Sequence, residues 1–97
     1  MKLRIKETAW GINRANGGYR KRVTADVRFP CDIGDIPAFG KGGRRFRIDE
    51  VTENEIVLSV ICADPKYNKS WKIEKGKEIL YRPRSFDGGY FYTFKLK

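Results

Sequence analysis

The chain is expected to fold as one all-β domain over residues 1–97. The form expected is a small meandering barrel or a compact sandwich of six to seven short antiparallel strands, with one long Gly/Pro-rich loop at residues 30–43. Three observations carry that expectation. No segment sustains the apolar period of an amphipathic helix. Turn-forming residues recur at 16–18, 52–54, 75–76 and 87–88, with short alternating runs between them. Residues 55–63 are apolar on both alternating faces, Ile56, Leu58, Val60 and Cys62 on one and Val57, Ile61 and Ala63 on the other, with only Ser59 polar. That pattern marks a central strand needing cover on both sides.

The first strand runs over residues 2–9, with Leu3, Ile5 and Ala9 opposed to Lys2, Arg4, Lys6 and Thr8. Glu7 falls on the apolar side and Trp10 on the polar side, so either a bulge shifts the register or the strand ends near Thr8. Asn16, Gly17 and Gly18 supply a hairpin turn. A three-residue loop there, with Gly18 in the left-handed position, pairs Ile5 with Phe29 and Ala9 with Ala25. The second strand turns Tyr19, Val23, Ala25, Val27 and Phe29 one way, Lys21 being the exception, and Arg20, Arg22, Thr24, Asp26 and Arg28 the other. This register sets Lys6 against Arg28 and Arg14 against Arg20. Like charges so placed repel, and solvent, an acid from elsewhere or a bound anion relieves them.

Residues 30–43 lose the alternation. Ile33, Ile36 and Phe39 recur at the spacing of a single helical turn that plugs one end of the fold. Gly40-Lys41-Gly42-Gly43 lacks the full pattern of a nucleotide-binding P-loop, and no helix follows it. The loop is therefore expected to be solvated, with Lys41 open to trypsin.

Phe46 and Ile48 begin a second hairpin that turns at 52–54. Its register is ambiguous, because Val51 with Ile56 implies one pairing and Ile48 with Leu58 another. Asp49, Glu50, Glu53 and Glu55 gather at its tip and are expected to be solvated. A strand through Trp71 and Ile73 follows, then one through Ile79 and Tyr81. Pro83 marks the latter as an edge, since proline cannot donate to a ladder. A two-residue turn at Asp87-Gly88 pairs Tyr81 with Phe94 and Ile79 with Leu96. The inner face is then Ile79, Tyr81, Tyr90, Tyr92, Phe94 and Leu96. Arg82, Arg84, Phe91, Thr93 and Lys95 are outside, with Arg84 opposite Phe91.

Charge carries the functional signal. The chain holds 21 basic and 12 acidic residues and no histidine. Residues 1–28 contain 8 basic and 2 acidic side chains, residues 29–65 contain 4 and 7, and residues 66–97 contain 9 and 3. Basic ends around an acidic middle favour an anionic partner. No nucleophile stands with a base, so no enzyme is expected. Cys31 and Cys62 without histidine make no metal site, and no cofactor is implied. No apolar run approaches the length of a membrane span, and residues 2–6 alternate where a secretory leader would be apolar, so a cytoplasmic location is the default. The expected function is a non-catalytic binding module that takes single-stranded nucleic acid, or another anionic partner, on the basic outer faces of the terminal hairpins. Its candidate residues are Lys6, Arg20, Arg28, Arg82, Arg84, Phe91 and Lys95. The alternative is an interaction or accessory module with an acidic protein partner.

Overall fold

A computed structural model describes residues 1–13, 15, 17–85 and 87–97, with Asn13 described by its backbone alone. Among the described residues eight strands run β1 (Lys2–Asn13), β2 (Gly18–Pro30), β3 (Gly34–Asp35), β4 (Arg45–Val51), β5 (Glu55–Ile61), β6 (Lys69–Glu74), β7 (Glu78–Tyr81) and β8 (Gly88–Leu96). A three-residue 3₁₀ turn, Pro65–Tyr67, lies between β5 and β6. The strands form two antiparallel sheets, ordered β2-β1-β8-β7 and β3-β4-β5-β6. They are called here the terminal and the middle sheet. The fold is thus a sandwich and not a closed barrel, with β7 an edge strand as Pro83 implied. No helix among the described residues is long and apolar enough to cross a membrane.

The core is the alternate residues of both inner faces. Leu3, Ile5, Tyr92, Phe94 and Leu96 of the terminal sheet meet Phe46, Ile48, Ile56, Leu58, Val60 and Ile73 of the middle one. Aromatic rings cross the interface edge to face or tilted. Phe46 lies 5.2 Å from Tyr92 and 5.3 Å from Phe94, and Trp71 lies 4.8 Å from Tyr81. The inner face expected for β7 and β8 is the one observed.

Both hairpins depart from simple alternation by a bulge. In β1–β2 the pairing Leu3 with Phe29, Ile5 with Val27 and Glu7 with Ala25 gives way to Thr8 with Val23, so Thr24 is the extra residue. Below it Ala25, Val27 and Phe29 face the core. Above it β2 is turned over, and Tyr19 and Val23, expected inside, are 53% and 51% exposed on the outer face. The expected pairing of Ile5 with Phe29 is displaced by two residues, and that of Ala9 with Ala25 by three, since Ala9 lies above the bulge and pairs with Arg22. Lys6 opposes Asp26, and Arg4 opposes Arg28. Gly18 pairs with Asn13, while the positive φ belongs to Gly17, at 68°. The partner expected for Arg20, Arg14, lies outside the described residues, and Arg20 pairs with Gly11. In β4–β5 both competing pairings hold at once, Ile48 with Leu58 and Val51 with Ile56, because the register shifts between Ile48 and Glu50. The carboxylate of Asp49 at this step accepts from Arg47 Nε at 2.6 Å and from the Ser59 hydroxyl. It is bonded as well as partly exposed, and its two donors, the Ser59 hydroxyl first, hold its pKa below the usual aspartate value. In β7–β8 Tyr81 pairs with Tyr92 and Ile79 with Phe94. This again lies two residues from the expected register.

The central strand β5 is as buried on its inner face as expected, with Ile56, Leu58 and Val60 fully covered. Its other face is only half-covered, by its own neighbours. Ser59 there is buried by its bonds to Asp49 and Ser70.

Residues 30–43 do not behave as a free loop. Their centre pairs with β4 through Gly34 and Asp35, Ile33 is 69% exposed, and no helical turn forms. Phe39 plugs the core, 5.5 Å from Phe29 and 6.0 Å from Phe46. The loop is held by Glu7, a fully buried carboxylate. Thr24 Oγ1 donates to its Oε1 at 2.6 Å and the Tyr92 hydroxyl to its Oε2 at 2.8 Å. The backbone N–H groups of Lys41 and Gly42 donate to the same two oxygens, at 2.8 and 3.1 Å. Gly40 adopts φ 70°, and a Cβ on it would lie 2.5 Å from Glu7 Oε1.

Truncating Leu58 to Ala removes a fully buried side chain and should cost about 2 to 5 kcal/mol in urea unfolding. Amides of Ile56 to Ile61 should be among the slowest to exchange.

Burial pushes the Glu7 carboxyl up, but its four hydrogen bonds, led by Thr24, outweigh this and leave its pKa below the ordinary value of 4.5. A depressed carboxyl pKa stabilises the fold above the unfolded value, and that stability is lost as pH falls through the folded one. Glu7→Gln should therefore cost about 1 to 3 kcal/mol at neutral pH, as donors lose their acceptor. It should also flatten the fall in urea midpoint below pH 4.5. Trypsin should spare Lys41 in the unmodified protein and cut there in the variant.

Candidate nucleic-acid interface

The terminal hairpins occupy one sheet, so their outer faces are a single surface. On β1 the side chains of Arg4, Lys6 and Thr8 point outward. On β8, paired through Arg4 with Lys95, Lys6 with Thr93 and Thr8 with Phe91, the next row continues it. Beyond the Thr24 bulge β2 adds Lys21 and Val23. These residues, with Glu78 of β7, line an open groove of about 430 Å³. Same-face residues repeat every ~7 Å along a strand and strands lie ~5 Å apart, so the cations form a grid on a rigid floor.

Among the described strand residues the carboxylates on this face are Asp26, opposite Lys6, and Glu78, opposite Lys95. Asp26 is taken by Arg4, whose Nε and Nη2 donate to its two oxygens at 2.8 and 2.7 Å. The pair relieves the repulsion between Arg4 and Arg28, and it is an acid on the same hairpin that does so. The hydrogen bond from Arg4 is the main reason that the Asp26 pKa lies below the usual value. Among the described residues Lys6, Lys21, Arg28 and Lys95 have no carboxylate within ion-pair distance.

Aromatic groups interleave with the cations. Phe91 lies in the groove with the Arg82 guanidinium over its ring, 5.2 Å from the centroid. Further toward the hairpin tip, Trp10 and Tyr19 stack with centroids 6.0 Å apart.

Of the residues expected at the site, Lys6, Arg28, Arg82, Phe91 and Lys95 share this face. Two do not. Arg20 pairs with Gly11 and so projects from the opposite face of the hairpin, because the bulge reverses β2 above Thr24. Arg84 lies beyond the end of β7 and lines a different cavity, and the cation over Phe91 is Arg82 instead. Arg4, Lys21 and the Trp10–Tyr19 pair were not among the expected residues. Arg4 shares the alternation of Lys6 and was recoverable from it, whereas Lys21 and Tyr19 were hidden by the bulge.

Both cysteines are free and half-buried, each packed against the core. No group of three or more metal-ligating side chains occurs among the described residues. No protein-family model, curated protein or solved structure matches the chain.

Proposed function

We propose that the protein is a non-catalytic module that binds single-stranded nucleic acid on the outer face of the terminal sheet. The observation that supports this reading most is one continuous face on which cations outside ion-pair distance of any carboxylate surround the half-buried Phe91 and Trp10 rings and the exposed Tyr19. Phosphates lie along Lys6, Lys21 and Lys95, and bases stack on Phe91 and on the Trp10–Tyr19 pair. A base that takes the Phe91 ring displaces Arg82, whose guanidinium stays within reach of a phosphate. Single strands suit this surface better than duplex, because only unpaired bases offer their faces to the rings.

A second reading is an interaction module for an acidic protein segment. It draws on β2, a 13-residue edge strand whose neighbour on one side is β1 and whose other side is open, with Arg20, Lys21 and Arg22 exposed along it. An extended acidic peptide would add to that edge by main-chain pairing.

Titration with labelled single strands and duplexes at several salt concentrations separates the two. Phe91→Ala should weaken single-strand binding by about 1 to 3 kcal/mol per lost stack with the salt slope unchanged. Lys6→Gln should lower the slope of log affinity against log salt by about 0.7, the share of one phosphate contact. Asp26→Asn should do the reverse, tightening binding and raising the slope by a similar amount, since it releases Arg4. No saturable binding of any strand at low salt would exclude the nucleic-acid reading and leave the peptide-binding edge.

A further inference from the structure

A second cationic cavity lies where the two sheets meet beyond the end of β7. It measures about 750 Å³ and is lined by Arg44, Arg82, Arg84 and Lys69 with the rings of Tyr67 and Tyr81. Its one carboxylate, Asp64, is already engaged. It caps the 3₁₀ turn by accepting from the Lys66 N–H at 3.1 Å and pairs with Lys66 Nζ at 3.6 Å.

Arg44 is half-buried, and it lies near enough to the Tyr81 and Tyr92 phenols for its charge to act on both. Among the described residues no carboxylate lies within ion-pair distance of Arg44, Arg82 or Arg84. Arg82 and Arg84 are exposed, so the three guanidinia repel one another across an open site, and a bound anion offsets that repulsion. Several cations around one cavity suit a dianion better than a monoanion. A phosphomonoester carries close to two charges near neutral pH, while each internal phosphodiester of a strand carries one. The planar forks of arginine bind its oxygens in pairs. Tyr67, 61% exposed, carries Lys66 Nζ 5.0 Å from its ring centroid on one face and offers the other to the attached base.

The cavity also joins the groove. Arg82 lines the cavity and at the same time covers the ring of Phe91, which lines the groove. We propose that this cavity holds the terminal phosphate of a single strand whose body lies in the groove, with Arg44 and Arg84 as the groups that distinguish a phosphorylated end from a hydroxyl end. The proposal rests on the nucleic-acid reading of the groove.

The test uses three internally labelled single strands of one sequence, bearing a 5′-phosphate, a 3′-phosphate or hydroxyls at both ends, titrated by anisotropy at fixed salt. One phosphorylated strand should bind about tenfold tighter than the hydroxyl-ended one, the effect of one strong charge-assisted hydrogen bond. Arg84→Gln, an exposed position outside the groove, should abolish that preference and leave binding of the hydroxyl-ended strand unchanged. It keeps the test valid should Arg44→Gln fail to fold. Lys6→Gln should weaken all three strands and preserve their ratio. Equal affinity of the unmodified protein for all three strands would overturn the terminal-phosphate assignment and leave the groove reading standing. No saturable binding of any strand would remove both. Adenosine 5′-monophosphate competing as well as the phosphorylated strand would assign the cavity to a free mononucleotide and overturn the strand-end assignment.

Discussion

The buried carboxylate of Glu7 is the constraint on which the rest of the structure depends. Its donors come from three other segments, namely β2 through Thr24, the 30–43 loop through the Lys41 and Gly42 amides, and β8 through Tyr92. An unpaired carboxylate at this depth would cost several kcal/mol, so the charge is tolerated only because all these groups point at it. Conversely, burial and the bond to Glu7 raise the Tyr92 pKa, keeping the phenol protonated and able to donate. The glycine-rich run at 40–43 does present backbone amides to an anion, and that anion is internal. A Cβ on Gly40 or Gly42 would come within 2.5 or 2.6 Å of the Glu7 and Tyr92 oxygens, which is why the loop is glycine at these two positions.

Satisfying Glu7 also shapes the outer surface. Thr24 reaches the carboxylate because it is the inserted residue of a bulge, and the bulge turns the remainder of β2 over. Tyr19, Lys21 and Val23 are thereby delivered to the outer face, where they extend the row begun by Lys6 and Phe91. The long hairpin gives the molecule its 49 Å axis. The docked loop has a parallel effect at the other end. Phe39 is seated among Phe29, Phe46 and Tyr92, and the chain leaving Gly43 carries Arg44 into the second cavity. One internal ion-binding arrangement thus positions parts of both external cationic sites.

Alternation identified the inner faces of β5, β7 and β8 and the lower half of β1–β2, because burial on one face of a pleated strand imposes a period of two. It did not identify registers. Parity says which residues share a face but is blind to a slide of two, by which β7–β8 and the lower part of β1–β2 were misplaced, and it fails above the bulge, where Ala9 pairs with Arg22, three residues from the expected Ala25. The bulges were legible only as conflicts. Glu7 and Trp10 sat on the wrong faces, and Ile48 with Leu58 contradicted Val51 with Ile56. The second insertion, Asp49, lay where the patterns disagreed, whereas the first is Thr24 of β2, across from Glu7, and β1 itself keeps its alternation with Glu7 inside. The docking of the 30–43 loop was not legible, since Glu7 and Lys41 are 34 residues apart and share no periodic pattern. The convergence of Lys6, Arg28, Arg82, Phe91 and Lys95 followed from the adjacency of β1 and β8, which strand composition does not specify.

Net charge alone does not explain why one face of the sandwich should bind an anion and the other not. The order of the chain does. The basic first and last segments supply β1, β2, β7 and β8, with β6 the exception that joins the middle sheet, and the acidic middle supplies β3, β4 and β5. An asymmetry along the sequence therefore becomes an asymmetry across the two sheets. On the middle sheet, cations meet carboxylates locally, as Arg47 does with Asp49 at 2.6 Å and Lys72 of β6 with Glu55 at 3.5 Å. On the terminal sheet only the Arg4–Asp26 pair is of this kind among the described residues. Lys6, Arg28 and Lys95, which outnumber the free carboxylates there, are spaced at about one Debye length, so their fields overlap over the lower part of the groove at physiological salt. That sidedness, more than the total of 21 basic residues, is what directs an anionic strand to the outer face of the terminal sheet.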